Sequence, residues 1–392
     1  MKKILFASAT SLLLSSASFA GSVNIGIILG FTGPIESLTV DMGAGAELAI
    51  TEVNGAGNFE FGEIASTRGD STCIDSAAAT AAAERLITAD KVNAIVGGDC
   101  SGVTTAMLEN VAVANGTVMI SPSATSPALS TVADNGLFFR TAPSDARQGE
   151  IVRDILMEQG YNSIAISYTN NDYGKGLADS IEANFKAAGG TVTLNASHED
   201  GKGDYGAEVA ALAQAGGEIL VVAGYLNDGG KGIIMSALDT GAFDMFYLPD
   251  GMIGDSLPTD IGPDLDGSIG AVPGTDSPGA AKFGEMATAN GFKAGPFAAE
   301  SYDAAALIIL AMQASGSTDS TVFKDHVMDV ANAPGEKIFP GELSKAIDLL
   351  KAGKDVDYVG ASAVELIGPG ESAGAYREIV VKGGKNTTVG YR

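Results

Sequence analysis

The sequence predicts an α/β protein of two doubly wound lobes, each built on a parallel sheet covered by helices. The chain has 392 residues, of which 45% are hydrophobic and 18% charged, enough for two to three domains with large cores. Short apolar runs alternate with helical segments from residue 23 onward, which is typical of a parallel sheet between two helical layers. The same rhythm restarts near residue 147, so two similar arrays of about 120 residues follow one another.

The first array opens with a buried strand, because the apolar, β-branched run Val23 to Leu29 ends at Gly30. A helix follows, with four apolar residues on one face: Met42, Ala46, Ala49 and Val53. A second helix is predicted from Ser76 to Thr88, with Asp75 as its N-terminal cap. Strands are predicted at 92–96 and 118–121.

The second array repeats the pattern. Predicted strands lie at 163–168, 191–196, 218–223 and 246–248, and predicted helices at 148–158, 176–188, 205–215 and 231–240. A stretch rich in Pro and Gly, 262–279, separates this array from a long apolar helix at 298–314. The tail, 359–381, alternates like antiparallel strands.

Residues 1–20 have the features of an export signal. Lys2 and Lys3 precede a short apolar stretch, 4–14, and Ser18-Phe19-Ala20 fits a cleavage site of small residues. Cleavage is predicted after Ala20. No later stretch approaches ~18 uninterrupted apolar residues, so membrane insertion of the mature chain is not expected.

The predicted export bears on the redox state of the two cysteines. Cys73 and Cys100 lie in a chain predicted to reach an oxidising compartment, and neither has a metal-ligand neighbour at suitable spacing. This favours a disulfide over two independent buried thiols.

The formal charge of −25 argues against a nucleic-acid partner, because a surface that negative repels phosphate.

Catalytic and metal-binding motifs are scarce. The segment 370–374 matches the G-x-S-x-G elbow of hydrolases, but that motif needs a following helix and a later His. The sequence has only two histidines, and none follows His326. His198 stands in a polar run that predicts a solvated turn. No enzymatic activity, metal or cofactor is therefore expected.

An ordered series of short segments carries a family resemblance. The segments are Val23–Ile27, Thr32–Pro34, Gly45–Ala49, Glu52–Asn54, Cys73, Gly97–Ser101, Ile120–Thr125, Phe139–Thr141, Asn171–Gly176, Ala223–Tyr225 and Pro249–Gly251. Together they resemble the leucine/isoleucine/valine-binding proteins, the type I periplasmic solute receptors of ABC transporters for branched-chain amino acids. The resemblance covers about residues 22 to 320 and is thin beyond them.

This resemblance implies the type I periplasmic-binding-protein fold: two Rossmann-like lobes joined by a multi-strand hinge, with the ligand in the cleft between them. It implies an N-lobe of 22–143 and 274–350 and a C-lobe of 144–273 and 351–392. The implied function is a periplasmic, monomeric receptor that closes on an aliphatic amino acid and delivers it to an inner-membrane ABC permease.

The same resemblance implies roles for particular residues. Ser101, Ser123 and Thr125 would hold the ligand carboxylate, through hydroxyl and main-chain groups at the carboxyl ends of strands. Asp250 would hold the ligand ammonium, where the best-known members carry Glu.

The remaining implied residues form the walls. Tyr173 and Tyr225 match tyrosines that close over the ligand from the second lobe. Leu38 falls where several members have an aromatic side chain, and Phe297 would supply the opposite apolar wall. Leu38 therefore leaves the identity of the side chain in the pocket open.

Three alternatives accompany this interpretation. A sensory module that reports to a chemoreceptor or kinase would share the pocket. An exported hydrolase of an amide or small ester is disfavoured by the missing His. The third alternative changes the ligand to an amide, urea or polyamine-like solute, which the combination of Asp250 with Ser101 and Thr125 disfavours.

Overall fold

The computed structural model describes residues 23–392; the predicted export signal and its cleavage site lie outside them. The strands in chain order are β1 (Val23–Leu29), β2 (Ile64–Asp70), β3 (Ala94–Gly97), β4 (Met119–Ser121), β5 (Phe138–Pro143), β6 (Ser163–Thr169), β7 (Thr191–His198), β8 (Ile219–Ala223), β9 (Phe246–Leu248), β10 (Ile269–Pro273), β11 (Glu336–Ile338), β12 (Val356–Tyr358), β13 (Leu366–Ile367), β14 (Glu371–Ser372), β15 (Tyr376–Val381) and β16 (Asn386–Tyr391).

The α-helices are α1 (Glu36–Ala56), α2 (Ser76–Thr88), α3 (Ser101–Met107), α4 (Val113–Asn115), α5 (Asp145–Glu158), α6 (Asp172–Ala187), α7 (Gly206–Ala215), α8 (Gly229–Thr240), α9 (Ser256–Ile261), α10 (Pro278–Ala289), α11 (Ala298–Ser315), α12 (Ser320–Phe323), α13 (Val327–Ala331) and α14 (Leu343–Lys351). Within residues 23–392, no helix is both long enough and apolar enough to cross a membrane.

Two seven-stranded sheets confirm the predicted two-lobe α/β architecture. The first has the order β13-β14-β5-β4-β3-β1-β2, and the second the order β16-β15-β10-β9-β8-β6-β7. Strands β1 to β5 are parallel in the first sheet, as are β6 to β10 in the second. Antiparallel pairs occur only at one edge of each sheet, β13–β14 and β10–β15–β16, among the described strands.

The predicted first array agrees closely with the structure. Strand β1 has the predicted bounds, and the four apolar residues predicted on one face of α1 are all buried. Helix α2 also has the predicted bounds, and the Asp75 carboxylate caps it by accepting hydrogen bonds from the N–H groups of Ala77 (2.9 Å) and Ala78 (3.0 Å).

Four strands of the two large sheets are absent from the prediction: β2, β5, β10 and β16. Strand β2 is an edge strand with several exposed polar residues, so its sequence lacks the apolar run that reveals a buried strand. Strand β10 lies inside the stretch taken as a separator. A Cβ at Gly270 would stand 2.1 Å from the carbonyl oxygen of Leu248, so the glycine lets β10 approach β9 rather than break the sheet.

The chain crosses between the lobes later than predicted. The prediction places 351–392 in the second lobe, but β14 pairs with β5 of the first sheet, and only β15 and β16 join the second. Residues up to Ser372 therefore accompany the first sheet. The short β13 and β14 carry too little apolar pattern to show which sheet they join. The other predicted lobe limits stay predictions.

Helix α11 anchors the first lobe. It packs against α1 and the strands β3, β4 and β5, and it is buried on nearly every side. An all-round apolar helix of this kind belongs inside a core. Its N-terminus lies at the cleft between the lobes, which places Phe297 there.

Candidate functional site

A cavity between the lobes gathers most of the predicted site residues. It is lined by Ile35, Leu38, Asp99, Cys100, Ser101, Ser123, Tyr173, Tyr225, Asp250, Gly251 and Phe297. The polar members follow the carboxyl ends of β3, β4, β6, β8 and β9, where ligands of open α/β sheets bind. The enclosed volume is about 20 Å³, roughly the space of one water molecule, so anything larger requires the lobes to separate.

The first lobe contributes hydroxyl groups held by its own loops. The Ser101 hydroxyl oxygen accepts a hydrogen bond from the Ser126 N–H at 3.0 Å and keeps its own proton for another acceptor. The Ser123 hydroxyl donates to the backbone carbonyl of Asp99 at 3.0 Å. These bonds fix the two loops that follow β3 and β4.

Arg140 supports the second of these loops from below. Its guanidinium is 1% exposed and donates to the carbonyls of Ala124 (3.0 Å) and Ser126 (2.9 Å). It also pairs with Glu371 at 2.5 Å, so its charge is neutralised away from the cavity. Arg140 therefore shapes the serine loop without presenting a cation to a ligand.

Asp250 is the acidic group contributed by the second lobe. It follows β9 and is 2% exposed. Its Oδ1 accepts hydrogen bonds from the Tyr173 hydroxyl (2.7 Å) and the Gly251 N–H (2.9 Å), which leaves Oδ2 available to a ligand. Burial raises the pKa of this carboxyl, opposed by its hydrogen bonds.

A second buried carboxyl, that of Asp145, lies close enough to influence Asp250. Burial, and next the negative charge of Asp250, raise the pKa of Asp145 well above its usual value. Gln148 connects the two, donating to Asp145 Oδ1 at 2.8 Å and accepting from the Asp250 N–H at 3.3 Å. Burial thus raises the pKa of both carboxyls, and each negative charge disfavours ionisation of the other.

Two tyrosines cover the cavity from the second lobe. The rings of Tyr173 and Tyr225 stack with centroids 5.3 Å apart, and both are almost fully buried. Burial raises the pKa of both phenols well above the ordinary value, so both remain neutral hydrogen-bonding groups. Ile35, Leu38 and Phe297 complete the walls with apolar surface.

Thr125 is the one predicted site residue that does not line this cavity. It is fully buried behind the wall, and its Oγ1 has no hydrogen-bond partner among residues 23–392. Its carbonyl oxygen accepts from the Asp145 N–H at 2.8 Å, which links the first lobe to the start of α5. The other seven predicted residues all line the cavity.

Asp99 is a lining residue that the sequence analysis missed. Its carboxylate accepts from the Gly30 N–H (2.7 Å) and the Ser71 hydroxyl (2.8 Å), so both oxygens are engaged within the first lobe. Burial raises its pKa. Asp99 could have been predicted, because it lies two residues after β3. The rule that ligands bind at the carboxyl ends of strands, which indicated Ser101, applies to it equally.

The predicted disulfide is confirmed. Cys73 and Cys100 are bonded, with Cα atoms 5.1 Å apart. The bond ties the loop after β2 to the loop after β3, directly before Ser101. The disulfide therefore stabilises the loop that lines the cavity, and it also lies in the hydrophobic core.

The expectation for His198 was wrong. This histidine ends β7 and is 1% exposed, with Nδ1 lying 2.8 Å from the Ser167 hydroxyl. Burial lowers its pKa to about 4, so it is neutral at physiological pH. The polar residues after it made a strand end look like a solvated turn.

The hydrolase motif does not form a nucleophile elbow. Glu371 and Ser372 form β14 in the first sheet, and no helix follows them. In the described part of the chain, no group of three or more His, Cys, Asp or Glu side chains is arranged to hold a metal ion.

Comparison with known proteins gives a consistent result. Residues 22–334 match the family described as periplasmic binding protein. The chain is 31% identical to Leu/Ile/Val-binding protein homolog 1 of Brucella suis over 86% of this chain and 89% of that protein. It is 27% identical to the chemotactic signal transduction system substrate-binding protein BasB of Halobacterium salinarum, over 87% and 82% of the two chains.

A solved structure shares the fold at lower identity. The branched-chain amino acid transporter substrate-binding protein LivJ of Streptococcus pneumoniae, solved in complex with isoleucine, superposes with a TM-score of 0.78 at 22% identity. The match covers 94% of this chain and 99% of that one.

Proposed function

The chain belongs to the periplasmic binding protein family, whose members are substrate-binding receptors and not enzymes, and from that premise we propose that it is the periplasmic receptor of an ABC importer. Its ligand is an aliphatic amino acid of the branched-chain type. The receptor closes its two lobes on this ligand and presents the closed form to a membrane permease as a monomer. The 31% identity to a Leu/Ile/Val-binding protein homolog supports this ligand class.

The observation that carries the proposal is the Asp250 carboxylate. It is buried at the cavity, and no cationic side chain of residues 23–392 pairs with it. A buried carboxylate without a cation is costly, and a ligand ammonium would offset that cost. Asp99 is a second carboxyl at this cavity, and its charged form is stabilised within the first lobe by hydrogen bonds from the Gly30 N–H and the Ser71 hydroxyl.

The opposite side of the cavity suits a carboxylate. The Ser101 hydroxyl keeps a free proton, and this residue is the first of α3, where backbone N–H groups point outward. Ser123 lines the same side. We propose the Ser101 hydroxyl as the donor to the carboxylate. The Ser123 hydroxyl already donates to the Asp99 carbonyl, so Ser123 acts by holding its loop beside Ser101, and Thr125 acts by joining that loop to Asp145.

The apolar walls fit an aliphatic side chain. Ile35, Leu38 and Phe297 all line the cavity, and all are buried and without polar atoms in the side chain. An aliphatic group gains by leaving water for such a wall. Urea, which has no apolar group, would leave this surface unused.

Hinge closure follows from the size of the cavity. A volume of about 20 Å³ is too small for an amino acid, so the ligand must enter while the lobes are apart. Closing then brings Asp250, Tyr173 and Tyr225 of the second lobe over a ligand seated on the first lobe.

The test is a thermal-shift screen of ligand-stripped protein against amino acids, amides, urea, polyamines and short peptides. A ligand at ~100 times its dissociation constant adds about 2.7 kcal/mol to the unfolding free energy, which gives a clear rise in melting temperature. We expect rises with leucine, isoleucine or valine. A rise with an uncharged amide or a polyamine, and none with amino acids, would contradict the ligand assignment.

A sensory role is the second candidate, and the similarity to BasB is the observation that favours it. It uses the same pocket but a different membrane partner. Uptake of radiolabelled leucine by cells with and without this gene separates the two functions. Unchanged uptake combined with a lost chemotactic response would favour sensing.

A further inference from the structure

A second and larger cavity lies at the hinge, on the other side of Phe297 from the cleft. It encloses about 420 Å³, and Phe297 lines both cavities. Its walls come from both lobes. The first lobe supplies Phe283, Phe297 and Glu300, and the second lobe supplies Arg377 of β15. A volume of this size accommodates a small organic molecule.

Arg377 is a cation without a partner in this cavity. Its Nε is buried and forms no hydrogen bond with any residue from 23 to 392, and no carboxylate of that range pairs with its guanidinium. Arg140 and Arg392, in contrast, pair with glutamates. Arg377 lines the cavity with no carboxylate of the described residues paired to its guanidinium, so the N–H groups that it presents there are suited to receive a ligand carboxylate.

Glu300 is not an anionic partner of Arg377. It is 3% exposed in the first turn of α11, and burial raises its pKa to about 8, opposed by its own backbone N–H and by the Arg377 charge. At neutral pH its carboxyl is therefore mainly protonated and acts as a donor. The other acid at this cavity, Asp276, is exposed to solvent.

We propose that the hinge cavity is a second binding site, which takes a small organic monocarboxylate with its carboxylate on Arg377 and its apolar body against Phe283, Pro296 and Phe297. The protonated Glu300 carboxyl adds a hydrogen bond to the same carboxylate. Asp276 lies among the lining residues and disfavours a second negative charge on the ligand.

Occupation of this site changes ligand affinity in the cleft. The cavity is lined by both lobes, so the contacts it offers to a ligand depend on how far the lobes are closed. Phe297 is common to the two sites and adopts a left-handed backbone conformation (φ 61°), which few non-glycine residues tolerate. Any coupling acts equally in both directions, so leucine must also change the affinity for the carboxylate.

Calorimetric titration with butyrate tests the proposal, with butyramide as the uncharged probe of the same shape. Leucine is first added to saturation, so that butyrate cannot bind in the cleft. We expect one butyrate to bind, and R377Q to weaken it at least tenfold. R153Q, which removes an arginine of the same lobe outside the cavity, should leave butyrate binding unchanged. Butyramide should bind at least tenfold more weakly than butyrate.

Further variants keep the test decisive. A280L fills part of the cavity without changing charge and should also abolish butyrate binding, which covers the case that R377Q fails to fold. The proposal would be overturned if R377Q bound butyrate as tightly as the unmodified protein, or if leucine displaced all bound butyrate. Equal binding of butyramide and butyrate, or no butyrate binding at all, would also overturn it. If leucine itself does not bind, the proposed function fails. The hinge site is then still tested by comparing butyrate binding to R377Q and to R153Q in leucine-free protein.

Discussion

The two lobes offer opposite chemistry to the cleft. The first lobe presents hydroxyl groups that its own loops hold in place, and its one carboxylate at the cavity, Asp99, has both oxygens engaged. The second lobe presents Asp250 with one oxygen open, next to two neutral tyrosines.

This difference explains why closure and recognition are one event. Neither lobe satisfies the other, because Asp250 lacks a cation and the first lobe offers hydroxyls, backbone groups and the Asp99 carboxyl but no cation among the described residues that line the cavity. A zwitterion supplies both missing partners at once. In the proposed function, the polarity of the cleft selects α-amino acids, and the apolar walls select among their side chains.

Removing the anion of the second lobe should have the largest effect. D250A should weaken leucine binding by about 3–5 kcal/mol, because the ligand ammonium is then buried without a partner. Titration calorimetry measures this loss. D239A, which removes an exposed acid of the same lobe, serves as the control and should bind normally. Binding by D250A within about threefold of the unmodified protein would remove Asp250 from the site, since a desolvated ion pair is worth far more.

Removing the covalent frame of the first lobe should lower stability but not change ligand preference. C73A/C100A should lose roughly 3–4 kcal/mol of unfolding free energy, because the unfolded chain is no longer constrained by the closed loop. Urea unfolding gives the loss, and leucine, isoleucine and valine titrations give the preference. Equal stability of the variant would mean that the disulfide contributes nothing, and a reordered preference would mean that it shapes the ligand's side-chain pocket.

Glu300 contrasts with Asp250, because it is a buried acid that stays protonated at neutral pH. Its pKa is raised to about 8 in the folded protein, above the value in an unfolded chain, so the folded state binds more protons between those two values. The unfolding free energy should therefore fall as pH rises from about 4.5 towards 8, by up to about 1.4 kcal/mol per pH unit.

Urea unfolding of the unmodified protein and of E300Q across this pH range isolates that contribution. The difference between the two stability curves should decrease with pH and level off above about 8. Curves that stay parallel from pH 5 to pH 8 would show that Glu300 titrates at an ordinary value.

The smallest expected effect concerns the tyrosine that orients Asp250. Y173F removes the hydroxyl that donates to Asp250 but keeps the ring stacked on Tyr225, so leucine binding should weaken by about 0.5–1.5 kcal/mol. Y225F is the matched control, since its hydroxyl forms only a 3.4 Å contact with the Asn171 side chain. A larger loss in Y225F than in Y173F would reverse the roles given to the two rings.

Much of the fold could be predicted because the apolar pattern of its central elements is strong. The bounds of β1, α2 and β9 agree with the structure residue for residue, as buried runs and a capping Asp75 define them. The edge strand β2 and the glycine-containing β10 were missed, because one is polar and the other resembles a linker.

The positions of the candidate residues could be predicted where family resemblance and strand ends coincide. Asp250, Ser101 and Ser123 meet at one cavity, as expected. Thr125 and His198 show the limit: sequence does not reveal whether a polar residue after a strand turns towards a cavity or into the core. Asp99 was missed although it follows the same strand as Ser101.

The most direct test of recognition by two opposite lobes compares leucine with its two halves. Titration calorimetry of R377Q, which lacks the arginine of the proposed hinge site, would measure binding of leucine, of 3-methylbutylamine, which lacks the carboxylate, and of 4-methylpentanoate, which lacks the ammonium. Leucine should bind, and each half-molecule should bind roughly 100-fold or more weakly, because one lobe is left with an unpaired polar group. If either half-molecule bound as tightly as leucine, the lobe assigned to the missing group would have no part in recognition.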